Sequence, residues 1–177
     1  MRCPTAKVAV VNSEDMGTFK SWERDVDTQG GEVRHYIGSY SINSWTNYMT
    51  QDRGDRKLAF FWRTTHSAQT SRNTIPVFGD STWHDAWPLD SDMPPDSPDE
   101  FGTGDKGTNN EMEHFCIDRH NGRINLLFMD WSVRSVGLKE LWTLKWHRQF
   151  DTSGGWTLAG GVQATDWPVW MRRYSDY

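Results

Sequence analysis

Aliphatic residues and phenylalanine are scarce in this chain: Val, Ile, Leu and Phe together account for only 31 of 177 residues. In a strongly charged chain that shortage would point to disorder. Here the net charge is only -5, and 11 Trp with 5 Tyr supply the missing apolar area. Each buried aromatic covers about 150–250 Å². The chain therefore reads as one aromatic-rich, loop-rich domain spanning 1–177, a length that serves one core and is short for two. Runs of Lys or Arg are absent as well. That removes the electrostatic footprint of a nucleic-acid or anionic-membrane partner, and aromatics that stack on bases usually line a basic groove. No stretch approaches the roughly eighteen apolar residues of a membrane span, and Met1-Arg2-Cys3-Pro4 does not open a signal peptide. Cysteine is limited to Cys3 and Cys116, too few to make a four-ligand zinc site by themselves and in no C-x-x-C pair. They are candidates for a single disulfide, which would imply an oxidising compartment. Two buried free thiols satisfy the same spacing.

Secondary structure is most legible in the last third. His114–His120 reads as a strand, Asn121-Gly122 as a two-residue hairpin turn, and Arg123–Asp130 as a second strand. Asp130-Trp131 turns the chain into a third strand at Ser132–Val136. Leu138, Leu141, Trp142, Lys145 and Trp146 then recur at helical spacing, with Trp142 and Trp146 expected in the core. Upstream, Val8, Val10 and Val11 mark a short strand, and 13–32 reads as a polar surface loop around Gly30-Gly31. A short helix is expected near Asn43–Met49, and a turn over Gln51–Lys57. Strands are expected at Leu58–Thr64 and Thr74–Ser81, with Pro76 at an edge or near the start. Residues 88–114 form a long acidic Pro/Gly loop. The expected class is α+β: an antiparallel meander with a short C-terminal helix and long loops.

His120 and Asp130, nine residues apart on either side of a strand, raise the question of a catalytic pair. Eight strand residues at about 3.3 Å each hold them well over 15 Å apart, so direct contact is disfavoured and both read as turn residues. The pattern Arg119-His120, nine residues, Asp130, within "RHNGRINLLFMDWSVRSVGLKELWTLKWHRQF", resembles the prepilin-type processing-associated domain named for a His, nine residues and Asp-Gly. "CP" at Cys3-Pro4, "GSYSINSW" at Gly38–Trp45, "IPVFGDSTW" at Ile75–Trp83 and the closing "DWPVWMRRYSDY" extend the likeness over nearly the whole chain. The resemblance implies a bacterial, extracytoplasmic, pilin- or pseudopilin-like head domain whose partners are other such subunits or an N-terminal helix. Two departures stand out. Trp131 occupies the place of the family's glycine, where a side chain resists positive φ, so a different turn is expected. The processing site and long hydrophobic helix that open such proteins are absent, so the sequence reads as a trimmed head or a fragment, with an apolar patch expected where that helix would pack.

Three groups of residues carry candidate chemistry. Asp80, Asp85, Asp90, Asp92, Asp96, Asp99, Glu100 and Asp105 could offer oxygens to calcium, with Asp80, Asp90 and Asp92 as the first candidates. Their spacing matches no EF-hand loop, and a solvated acidic loop is the simpler reading. Trp83, Trp87 and Trp131 lie in expected loops or turns and could form a carbohydrate-stacking surface. Asp80, His84 and Asp85 could build a metal-dependent hydrolase. G-x-S-x-G, H-E-x-x-H, Walker and G-x-G-x-x-G motifs are all absent. His66, His84, His114 and His147 have no partnered nucleophile, and Cys116 reads as buried rather than activated. The expectation is a non-enzymatic head domain without a required cofactor, acting in secretion-type filament assembly or surface recognition. The alternative is a calcium- or carbohydrate-binding module.

Overall fold

Alternation of apolar and charged side chains is clearest in Arg-Ile-Asn-Leu-Leu-Phe, where Ile124, Leu126 and Phe128 are buried and Arg123 and Asn125 exposed. In the computed structural model, which describes residues 2–6, 8–9, 17–28, 30–63, 71–99 and 110–177, that segment lies next to the end of a five-stranded sheet. The strands, in chain order, are β1 (Val8–Ala9), β2 (Lys20–Asp27), β3 (Val33–Gly38), β4 (Tyr40–Asn43), β5 (Pro76–Asp80), β6 (Asp85–Ala86), β7 (Arg123–Phe128) and β8 (Val133–Gly137). The larger sheet has the order β6-β4-β5-β7-β8, and a second sheet has the order β1-β2-β3. Pairing is antiparallel except for β1 with β2 and β4 with β6. Helical structure among the described residues is confined to short 3₁₀ turns such as Ser44–Thr46 and Lys139–Thr143. The fold is therefore mixed, mostly sheet.

Aromatics do the work that aliphatics do elsewhere. Trp45, Trp142, Trp146 and Trp167 are almost fully buried together with Phe61, Phe115, Phe128 and Phe150. Trp45 meets Phe60, Phe61, Trp87 and His147 edge-on at 5.1–5.5 Å between ring centroids, the arrangement favoured by the ring quadrupole. A buried indole also brings an N–H that must be satisfied. Trp45 donates to the Pro88 carbonyl at 2.8 Å, Trp142 to that of Asp92 at 2.8 Å and Trp170 to that of Pro95 at 2.9 Å. The Asp92 carboxylate in turn accepts from the backbone N–H groups of Leu89 and Met112, both at 2.9 Å.

Several expectations are corrected by this arrangement. Residues 88–99 are pinned to the core rather than solvated; of the rest of the expected acidic loop, Glu100 and Asp105 lie outside the described residues, as do His66 and the Val10-Val11 part of the first strand. The meander's first member is not 114–120, which forms a 3₁₀ turn and irregular backbone, but β5, whose Pro76 stands at its start. Lys20–Asp27 is a strand rather than a loop, because β3 pairs with it over six residue pairs. Leu58–Phe60 is a 3₁₀ turn, not a strand, and the expected C-terminal helix is likewise one 3₁₀ turn, Lys139–Thr143, after which Leu144 is extended. Trp142 and Trp146 nevertheless both enter the core. Asn121-Gly122 does take the left-handed conformation (φ 54° and 80°), but it launches β7 instead of joining two strands. Trp131 also takes it (φ 68°), so the turn keeps the glycine geometry despite the side chain.

Candidate functional site

Arg119 makes four side-chain hydrogen bonds. It is 3 % exposed, and a buried guanidinium is costly unless its donors are all answered. Its Nε donates to the Thr18 carbonyl at 2.7 Å, one terminal nitrogen to that of Ser39 at 2.8 Å, and the other to those of Lys20 and Ser81, both at 3.2 Å. One side chain thereby ties the chain before and in β2, the β3–β4 junction and the end of β5 to the start of β7. Burial pulls the Arg119 guanidinium below its ordinary pKa, and the Asp80 carboxylate opposes that pull.

Asp80 ends β5 and is fully buried. Its Oδ2 accepts from the Asn125 backbone N–H at 2.8 Å and from Asn125 Nδ2 at 3.1 Å, and lies 3.2 Å from His120 Nε2. Its Oδ1 has no hydrogen bond and stands 3.8 Å from Arg119. Cys3 reaches the same place: its N–H donates to Ser39 Oγ at 2.5 Å, and its Sγ lies 2.9 Å from Thr5 Oγ1 and 3.5 Å from His120 Nε2. Burial, with Asp80 and Cys3 beside it, pushes the Tyr40 hydroxyl upward in pKa. Four stretches that are distant in sequence, at Cys3, Ser39, Asp80 and Arg119-His120, meet in this junction.

The sequence-predicted site residues are redistributed accordingly. His120 and Asp130 have separate partners, Asp130 accepting from the N–H and hydroxyl of Ser132 at 3.0 and 2.6 Å in the β7–β8 turn. Asp80, Asp90 and Asp92 do not form a calcium site. Asp80 belongs to the junction, Asp90 lies 3.6 Å from His147, and Asp92 caps Leu89 and Met112. Burial raises the Asp92 pKa to about 7. Cys3 and Cys116 are both free and buried. Cys116 Sγ packs against Met171 Sδ at 4.0 Å, a different neighbourhood from that of Cys3, so the expected disulfide is not formed. Asp80 likewise does not join His84 and Asp85, which removes the hydrolase constellation.

His84 and Asp85 instead border a cleft of about 500 Å³ with Arg24, Arg56, Trp83, Trp87, Glu111 and His114. Trp83 and Trp87 share it, whereas Trp131 stands exposed on the β7–β8 turn. Arg56 lies over the Trp87 ring, 4.1 Å from its centroid, and 3.7 Å from Glu111. His84 Nε2 is 2.8 Å from Asp85, and this contact holds the Asp85 carboxyl below its usual range. Burial lowers His114 to about 4 and raises Glu111. Cations and carboxylates are balanced in the cleft, and its aromatic walls are partly capped by Arg56. Sequence reasoning singled out Trp83, Trp87, His84 and Asp85 and named His114 only as an unpartnered histidine, but missed Arg24, Arg56 and Glu111, which come from separate segments without a shared motif.

No family model matches the chain, and searches of curated proteins and of solved structures return no match either. Among the described residues no helix is long and apolar enough to cross a membrane.

Proposed function

We propose that this chain is a pseudopilin-like head domain of the His-x9-Asp-Gly kind, acting extracytoplasmically in filament- or secretion-type assembly rather than in catalysis. The observation that carries the reading is the junction itself. The stretches that bear the resemblance, at Cys3-Pro4, Gly38–Trp45, Ile75–Trp83 and Arg119-His120, are joined there by Arg119 and Asp80. The motif arginine gives its donors to backbone carbonyls, and the motif aspartate orders a turn. Both roles are those of a scaffold.

A scaffold acts through its surface, and the β2–β3 ribbon supplies one. Its outer half is exposed on both strands, and an isolated two-stranded ribbon is marginal on its own. Cross-strand partners share a face. Pairing of Arg24 with Tyr36 and of Val26 with Arg34 makes one face basic and apolar. Pairing of Glu23 with Ile37, Asp25 with His35 and Asp27 with Val33 makes the other acidic. Faces of opposite charge suit head-to-tail contact between copies, the kind that builds open filaments. The test is site-specific photo-crosslinking from Tyr36 in the native host. Ladders of self-adducts are expected, and they should vanish in Arg34→Glu and return when Arg34→Glu is combined with Asp25→Arg and Asp27→Arg. Monomers alone in every strain would refute the assembly reading.

The cleft favours a second reading, a binding module for a neutral sugar. Trp83 offers a stacking ring beside polar groups of both signs. Titration of tryptophan emission with a panel of oligosaccharides decides it: saturable quenching lost in Trp83→Ala supports it, and unchanged emission across the panel rejects it.

A further inference from the structure

We propose that Cys3, Asp80 and His120 form a binding site for a thiophilic divalent metal ion, of which zinc is the representative. The proposal is independent of the assembly reading, since it rests on ligand geometry alone. The three donor atoms lie within 4.8 Å of one another. Cys3 Sγ is 3.5 Å and Asp80 Oδ2 is 3.2 Å from the same nitrogen, His120 Nε2. Tetrahedral zinc, with bonds of about 2.3 Å to sulfur and 2.0–2.1 Å to nitrogen and oxygen, places its ligands about 3.5 Å apart for S···N and about 3.3 Å for N···O. The two observed edges match those spans, and the third, from Cys3 to Asp80, lies within 4.8 Å.

The same detail separates a metal site from a nucleophile. In a Cys-His-Asp relay, one ring nitrogen faces the thiol and the other faces the carboxylate. Here one nitrogen faces both, so no proton can be passed across the ring, whereas a cation between the three atoms satisfies all of them. The surroundings also suit an ion. The Asn125 N–H and Nδ2 fix the Asp80 carboxylate, and Thr5 Oγ1 lies at hydrogen-bond distance from Cys3 Sγ, as the outer partners of a metal site do. Arg119 approaches the other oxygen, Oδ1, at 3.8 Å and gives its hydrogen bonds to carbonyls. Arg119 thus offsets part of the carboxylate charge at Oδ1, and Oδ2 is the oxygen that faces His120. His120 is partly exposed, at 27 % of its side chain, so a solvent molecule can complete a fourth position. A thiolate and an imidazole select against calcium and magnesium. On binding, the Cys3 thiol gives its proton to solvent as the S–metal bond forms.

The test uses the full chain and Co(II) as a spectroscopic probe, followed by displacement with Zn(II). One equivalent of Co(II) is expected to produce thiolate-to-metal charge transfer and intense tetrahedral d–d bands, both removed by Zn(II). His120→Ala, at a partly exposed position, should bind at least tenfold more weakly while its circular dichroism remains that of the wild type. Zn(II) should also protect Cys3 from iodoacetamide in the wild type and not in His120→Ala, as read by peptide mass mapping. That measurement holds even where Cys3→Ala fails to fold. A Co(II) spectrum without sulfur charge transfer overturns the proposal, as does equal affinity in wild type and His120→Ala, or protection that maps to Cys116.

Discussion

At the scale of single residues, Trp131 bears a backbone that favours glycine. Its N–H closes the turn onto the Phe128 carbonyl at 2.9 Å, and the Phe128 N–H returns to Ser132 O at 2.9 Å. That three-residue loop puts its last member in the left-handed region, where a side chain costs about 1–2 kcal/mol. Trp131 is 79 % exposed, so little burial offsets that cost. Trp131→Gly is expected to raise stability by up to about 1 kcal/mol, the relieved strain less the entropy that glycine adds to the unfolded chain. Chemical denaturation checks this, and a loss of stability would show that the indole has a contact worth more than the strain. Gly122, also left-handed (φ 80°), is held differently: a Cβ there would lie 2.4 Å from the Tyr174 ring, so conformation and packing both demand glycine.

At the scale of elements, the acidic segment 88–99 shows how a loop with few apolar anchors of its own, Leu89 among them, is ordered. Indole N–H groups from Trp45, Trp142 and Trp170 hold three of its carbonyls, and Asp92 holds two N–H groups. Trp142→Phe removes one donor, leaves the Asp92 carbonyl buried without it, and should cost about 2 kcal/mol. Amide exchange measured by mass spectrometry should then quicken across residues 89–99 ahead of β7 and β8. Uniform acceleration over the whole chain would contradict an anchoring role. The strands follow the same logic of local pattern against distant partner. β7 and β8 were legible because alternation and turn chemistry agree. β2 was not, because Lys-Ser-Trp-Glu-Arg-Asp-Val-Asp is mostly charged and becomes a strand only through its pairing with β3.

At the scale of the whole molecule, buried titratable groups set the response to pH. Burial lowers His114 and His147 to about 4, from an ordinary 6.5, and raises Asp92 to about 7, from 3.8. Between pH 4 and 6.5 the unfolded chain therefore binds two protons that the folded histidines refuse, and the folded chain keeps one that the unfolded aspartate has lost. For these three groups the balance favours folding as pH rises, by at most roughly 1.4 kcal/mol per unit for the one net proton, and the raised Glu111 offsets part of it. Above 6.5 the histidine contribution is complete, and the Asp92 contribution continues to fall until about 7. Stability is thus expected to peak near pH 6.5. Asp92→Asn should steepen the acid limb and abolish the decline near neutrality. Urea midpoints measured from pH 4 to 8 check both, and a flat profile would refute the assignment of these three groups.

The sequence by itself determined that the chain folds around tryptophan, that β7 and β8 form a hairpin turning at Asp130-Trp131, and that Trp142 and Trp146 enter the core. These depend on local periodicity, on turn residues and on a composition that leaves aromatics as the main apolar supply. Only the tertiary structure decided that Cys3, Asp80 and His120 share one point, and that Arg119 joins four segments. It also decided that Trp83 and Trp87 meet Arg24, Arg56, Glu111 and His114 in one cleft. The stretches containing Cys3, Asp80 and His120 were each conspicuous in the sequence, but nothing in their spacing joined them. Side-chain chemistry is written along the chain, whereas the distance between residues 3, 80 and 120 is set by sheet register and by where a buried guanidinium finds its carbonyls.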